Sequence, residues 1–389
     1  MPANHVTQTA ETDLEIIVEG NNTFALELYR RLKQVDCNLF FAPFSICSAL
    51  AMTYAGARGA TETQMAEALH FTLPQVRLHP AFAALSAHLD AMQANGNVQL
   101  NIANSLWPDV GYPFLETFLA LAREFYGVTI TPVDYVEQTE VARQVINAWV
   151  EEKTDYKIKE LILPNILNPL SRLTLVNAIY FKGNWASQFD PQSTITAPFH
   201  VTAATVVEVA MMQQTQKFAY AETSELQVLE LPYIGDEIAM LLFLPTTVDG
   251  LANLQAVFSL KNVERWMQLL YHTEVEVKLP RFKLTADFRL DKTLQAMGMP
   301  DAFDEEKANF AGMDGQENWL YIGAALHKAF IEVNEEGTEA AAASAVIMLA
   351  RGISKNPVFC ADHPFVFVIV DKRAGSILFC GQVVDPTAG

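Results

Sequence analysis

The run Ile238-Ala-Met-Leu-Leu-Phe-Leu244 contains no polar residue. A half-buried strand alternates apolar and polar, so an unbroken run of this length reads as a strand buried on both faces. Such a strand needs cover on each side, which asks for a large layered molecule. The chain can supply one, because it has 389 residues of which 51% are hydrophobic.

The first half reads mainly helical. Phe24, Leu28 and Leu32 recur at helical spacing, and Glu27 and Arg31 fall four apart, as an expected ion pair. After Pro43, residues Phe44–Ala55 are apolar almost all round, as in a buried helix. Ala60–Leu69 and Pro80–Met92 read as two further helices, and Val141, Val145 and Trp149 mark one over about 139–153. Strands then take over: 98–106, 173–181, 198–211, 217–221, 226–232 and 237–244, with a helical stretch near 249–270. The last sixty or so residues hold Ala329–Val333, a small-residue segment, Phe365–Val370 and Ile377–Val384. There is no internal repeat and no Gly/Ser linker, so the expectation is one α+β domain over 14–389, with a loose polar tail over 1–13.

Charge and motifs remove several functions. The formal charge is −19, a balance that repels phosphate backbones and anionic membranes, so neither nucleic acid nor membrane is an expected partner. The opening Met-Pro-Ala-Asn-His-Val-Thr-Gln has no secretory-leader pattern, which leaves the cytoplasm, or secretion after removal of a leader. Cys37, Cys47, Cys360 and Cys380 form no CxxC pair, so reduced thiols are expected and a metal is not. Asn21-Asn22-Thr23 is a glycosylation triplet of a common kind. GxSxG, HExxH, GxGxxG after a strand and the P-loop motif are all absent, so no catalytic residue and no cofactor is assigned, and an enzyme is not expected.

Residues 335–351 read Glu-Glu-Gly-Thr-Glu-Ala-Ala-Ala-Ala-Ser-Ala-Val-Ile-Met-Leu-Ala-Arg. Taken alone, the alanines suit a short helix. As a strand, the same segment puts Thr338, Ala340, Ala342, Ser344, Val346 and Met348 on one face. That face is small near the Gly337 pivot and larger and apolar further on, so it could slide into a packed core. Glu339 opens the opposite, solvated face.

At this point the chain resembles the serpin family over nearly its whole length. The hinge Glu335-Glu336-Gly337-Thr338-Glu339-Ala340-Ala341-Ala342-Ala343 carries the most specific likeness. Asn177-Ala-Ile-Tyr-Phe-Lys-Gly-Asn-Trp185, Phe40-Phe-Ala-Pro-Phe-Ser-Ile46, His327-Lys-Ala-Phe330, His363-Pro-Phe-Val-Phe367 and Leu378-Phe-Cys-Gly381 support it in order.

The resemblance implies three β-sheets, about eight or nine helices and an exposed reactive-centre loop over about 335–356. It also implies a monomer that inhibits serine proteases through a covalent acyl-enzyme. The scissile bond in the family follows the seventeenth residue from the hinge glutamate, which places it at Arg351–Gly352 and implies a trypsin-like target. Counting back from the C-terminal side favours Ile353, and Lys355 is the other basic choice. The forward count is taken because insertion depth constrains the hinge side more tightly. Ser45, Asn177 and His327 match the polar cluster where the central strands part, called the shutter. Ala42 stands where many members have serine. Trp185, Arg281 and Glu335 match the breach, where the loop enters the sheet, with Arg281–Glu335 expected as a weak surface pair. Only Arg77 is a strong cation within 70–100, so no heparin-type site is implied. The alternative within the family is a non-inhibitory chaperone, carrier or storage protein, against which the small hinge residues Ala340–Ala343 argue.

Overall fold

A computed structural model describes residues 3–33, 37–94, 98–338 and 356–388. The helical first half comprises α1 (Ala3–Leu32), a short strand β1 (Leu39–Phe41), α2 (Pro43–Tyr54), α3 (Gly59–Ala68) and α4 (Gln75–Ala94). Then come β2 (Val98–Pro108), α5 (Glu116–Tyr126), β3 (Thr129–Ile130), α6 (Thr139–Lys153) and β4 (Leu173–Asn184). The middle holds β5 (Ile195–His200), β6 (Val206–Glu222), β7 (Leu226–Pro232) and β8 (Ile238–Pro245), followed by α7 (Leu251–Val257) and α8 (Leu260–Met267). Strands β9 (Tyr271–Pro280) and β10 (Phe282–Arg289), helices α9 (Asp291–Met297) and α10 (Ala311–Asp314), and β11 (Leu326–Val333) lead to β12 (Gly337–Thr338). The chain closes with β13 (Val358–Cys360), β14 (Phe365–Asp371) and β15 (Ile377–Val383).

The architecture is the expected α+β mixture. Ten α-helices stand among the described residues, against the eight or nine expected. Two of them, α9 and α10, are too short to leave a periodic signal. The strands form two hydrogen-bonded networks. One runs β1-β15-β14-β8-β7-β6-β9-β13, with β5 on the side of β6. The seventeen-residue β6 pairs β5 along its first part and β7 at its far end, so two sheets merge through one strand. The other network is six-stranded, in the order β10-β11-β12-β4-β2-β3.

Every residue of β8 is buried, as its unbroken apolar run requires. The single strand expected over 198–211 is instead β5 and β6 joined by a turn, where the Thr202 hydroxyl accepts the N–H groups of Ala204 and Thr205. Helix α2 is buried almost all round and packs beneath the six-stranded sheet.

Two expectations at the N-terminal side need correction, and the glycosylation triplet finds a structural place. The anticipated loose tail is helical from Ala3. Asp13 there is buried and accepts the Arg77 guanidinium, with Nε at 3.1 Å, so the one strong cation of 70–100 is an anchor for α1. Glu27 pairs with Arg30 and His70 rather than with Arg31, since i,i+3 neighbours and a packed turn bring those groups nearer. The glycosylation triplet is unsuited to a sugar in this fold. Asn21 is 1% exposed and donates to the Ile377 carbonyl at 3.0 Å.

Candidate functional site: the seam between β4 and β11

Neighbouring strands in the six-stranded sheet are antiparallel except at two places. One is the short β2–β3 pair. The other lies at the centre, where β11 and β4 run parallel and pair only through Ala329↔Ile179 and Phe330↔Tyr180. Just above, β12 is wedged between them. Gly337 faces Asn184, Thr338 faces Gly183, and Thr338 also faces Val333, all antiparallel. A third strand has therefore begun between two that touch directly lower down.

The top of this seam is built from residues that the sequence singled out and several that it did not. Asn334 follows β11, and its side-chain oxygen accepts the N–H groups of Glu336 and Gly337 at 3.0 and 3.2 Å. This Asx turn reverses the chain. Gly337 is required here because a Cβ would collide with the Gly183 carbonyl oxygen. Trp185 donates its backbone N–H to Glu336 at 2.9 Å and its indole N–H to the Asn334 carbonyl at 3.0 Å. Its ring stacks on Tyr233, with centroids 4.6 Å apart. The Tyr233 hydroxyl lies 2.8 Å from that of Thr338, and both residues are fully buried.

Glu335 and Arg281 meet as anticipated, with Nε 2.8 Å from Oε1, but this is not a surface pair. Glu335 is 4% exposed and also accepts from the Thr194 hydroxyl. Burial works against its charge, and the hydrogen bonds from Arg281 and Thr194 outweigh it and hold the carboxyl below the usual range. Removing Arg281 would strand a buried carboxylate, a larger loss than that of an exposed pair.

The polar cluster lies deeper in the seam. The Ser45 hydroxyl donates to Asn177 Oδ1, and Asn177 Nδ2 donates to Asn104 Oδ1 at 2.6 Å. Asn104 was missed, although it stands directly opposite Asn177 on β2. His327 bonds elsewhere, its Nε2 accepting the Ala42 backbone N–H at 3.1 Å. An accepting nitrogen means a neutral ring, and burial pushes its pKa down to about 3.

The folded-state value therefore lies below the unfolded one of about 6.5, so the unfolded chain takes the proton first as pH falls. Stability from this residue is full above about 6.5 and is lost as pH falls toward 3, at up to about 1.4 kcal/mol per pH unit. His79, pushed down to about 4 by burial, adds to the same window. Denaturant titrations at pH 7.5 and 5.5 are expected to show the loss, and His327→Gln is expected to shrink it. An unchanged pH slope in that variant would contradict the assignment.

Helix α6 and the segment after it cover the outer face of the seam. Ile146, Ile158 and Leu161 form an apolar cluster with Val176, Ala178, Tyr180 and Phe330. The Lys157 ammonium sits 5.5 Å above the Phe330 ring, and Lys328 donates to the Lys159 carbonyl at 2.9 Å. Glu339, Ala340–Ala343, Arg351 and Gly352 lie outside the described residues.

A two-residue strand thus begins between parallel neighbours, in the segment that resembles the serpin hinge. The family model described as "Serpin (serine protease inhibitor)" matches residues 19–386. Serpin B6 of Pongo abelii is 40% identical over 380 residues, 96% of this chain and 100% of that one. The leukocyte elastase inhibitor of Homo sapiens is 39% identical over 383 residues, with the same coverage. Among solved structures, Serpin48 of the insect Tenebrio molitor superposes with a TM-score of 0.84 at 32% identity, covering 95% of this chain and 98% of that one. Uncleaved ovalbumin does so with a TM-score of 0.85 at 30% identity, covering 95% and 100%. The chain belongs to the serpin family. It is a member of a family of serine protease inhibitors and not an enzyme.

Proposed function

We propose that this serpin is a suicide inhibitor of trypsin-like serine proteases, cleaved at Arg351–Gly352. The observation that carries the reading is the started strand. Gly337 and Thr338 are already paired on β4, and beyond them β11 and β4 hold a parallel contact that an antiparallel strand can replace. The protease serine attacks the Arg351 carbonyl and forms an ester, and the amide bond to Gly352 breaks, freeing that amine. The released loop then inserts as the missing strand and carries the acylated protease with it. Thirteen or so residues separate Thr338 from Arg351, a travel on the order of 43 Å. Distortion of the protease active site halts deacylation.

Arginine as the bait fits an acidic specificity pocket. Trypsin is expected to form an SDS-stable complex and release a peptide beginning at Gly352, and Arg351→Ala is expected to lose this inhibition without loss of folding. The name of the human relative, leukocyte elastase inhibitor, together with the backward count, favours a second reading with Ile353 as bait for a protease with an apolar pocket. A released peptide beginning at Ser354, or full trypsin inhibition by Arg351→Ala, would select it.

A further inference from the structure

Below the Ala329–Ile179 contact the seam widens into a cavity of about 310 Å³. Leu50 of α2, Leu175 of β4, Leu294 and Met313 supply apolar walls, with Asn177 and His327 also among the lining residues. Leu170, Trp319 and Tyr321 also line it and are 76%, 65% and 45% exposed. No Asp, Glu or Lys is among the described residues that line it. Arg172 is there, but its guanidinium donates to the Pro169 and Ser171 carbonyls and lies over the Tyr112 ring. His327 is neutral for the reason already given.

Backbone geometry adds polar groups to this apolar space. Trp185 directs its N–H toward the loop side, and alternation along a strand turns the main chain of Leu175 and Asn177 the same way. Neither has a described strand partner on that side, because β4 pairs β11 only at 179 and 180. The started register says what else needs this space. Thr338 faces Gly183 in antiparallel sense, so each step along the loop moves one step back along β4. Val346 would face Leu175, and Met348 would face Leu173. Val176, Ala178 and Tyr180 belong to the cluster under α6, whereas Leu173 and Leu175 pack against the main core. Val346 and Met348 would therefore enter the cavity.

We propose that this cavity is a regulatory site for a compact, uncharged, mainly apolar molecule bearing one hydroxyl or amide. Its occupancy excludes Val346 and Met348 and so arrests the loop half-inserted. The regulatory half rests on the insertion reading above; the binding half does not. The volume sits at the small end of ligand pockets and suits a ligand of about ten to fifteen non-hydrogen atoms. The apolar walls take its body, and the strand edge at Leu175 and Asn177 takes its polar group.

The test uses the full chain with 4-butylphenol as probe. Ligand-observed NMR on the intact protein is expected to show binding in the hundred-micromolar range, weakened severalfold by Leu175→Phe, whose ring intrudes on the space. With trypsin, the number of inhibitor molecules consumed per protease trapped is expected to rise severalfold with the probe, and Leu175→Phe is expected to raise it without any. No binding, binding as tight in Leu175→Phe as in the unaltered protein, or binding that leaves the ratio unchanged overturns the proposal. Oligomers that the probe neither binds nor disperses also overturn it, assigning the space to the loop of a second copy. If the untreated protein traps no protease and gains no stability on loop cleavage, the insertion reading fails and the regulatory half with it. The NMR result then decides the binding half.

Discussion

Thr338→Arg is expected to turn the inhibitor into a substrate, with trypsin cutting the loop at near the wild-type rate and leaving active. Thr338 is fully buried, its hydroxyl beside that of Tyr233, and it is the first loop side chain between β4 and β11. The polar group beside that position is the neutral Tyr233 hydroxyl, and a buried charge without an ionic partner costs several kcal/mol, about 3–5. Because Thr338 is already seated between the strands, the penalty undoes β12 itself, and insertion after cleavage then has to begin with the step that carries it. Acylation occurs some 40 Å away along the loop and is expected to proceed unhindered. Insertion and deacylation compete, and delay favours water. Glu339→Arg is the control: the register places residue 339 opposite Lys182 on the other face, where facing like charges cost under about 1 kcal/mol. Near one-to-one trapping by Thr338→Arg, measured as inhibitor consumed per protease, would refute the inward register.

Cleavage of the loop is expected to raise the melting temperature by on the order of 10 °C or more. Residues 339–348 would complete the strand that β12 begins and bond on both sides. Roughly twenty ladder hydrogen bonds at about 1 kcal/mol each outweigh about 1 kcal/mol of backbone ordering for each of some ten residues. Burial of Val346 and Met348 adds to the gain. Melting curves of intact and trypsin-nicked protein decide it, and equal midpoints would point to a non-inhibitory relative.

The hinge was legible because its chemistry is local. A glycine followed by small residues on alternate positions states a strand face directly, and Thr338 lies in the core as that face requires. Ser45 and Asn177 were recoverable through the resemblance, and they touch. Thr194, Tyr233 and Asn104 were not found, since each owes its place to strands that pair far from it in sequence. The burial of Glu335 was missed for a similar reason. It depends on Phe189, whose N–H binds the Glu335 carbonyl at 2.8 Å, and on Thr194 closing over the carboxylate. Short helices such as α10, four residues long, carry too little periodicity to be read. The cavity beside Leu175 could not be foreseen, because empty space has no sequence signal.

The two residues of β12 have a kinetic meaning beyond their small size. Forming a new strand inside a sheet ordinarily begins with an unfavourable nucleus, in which chain freedom is surrendered before enough contacts repay it. Here that nucleus is part of the resting molecule, with its turn fixed by Asn334, its glycine seated on Gly183 and its threonine held by Tyr233. On the inhibitory reading proposed above, what remains after cleavage is propagation, one residue at a time, in a direction and phase already chosen. The speed of the trap is then set by how readily the sheet yields ahead of the advancing strand, and not by any search for where to begin.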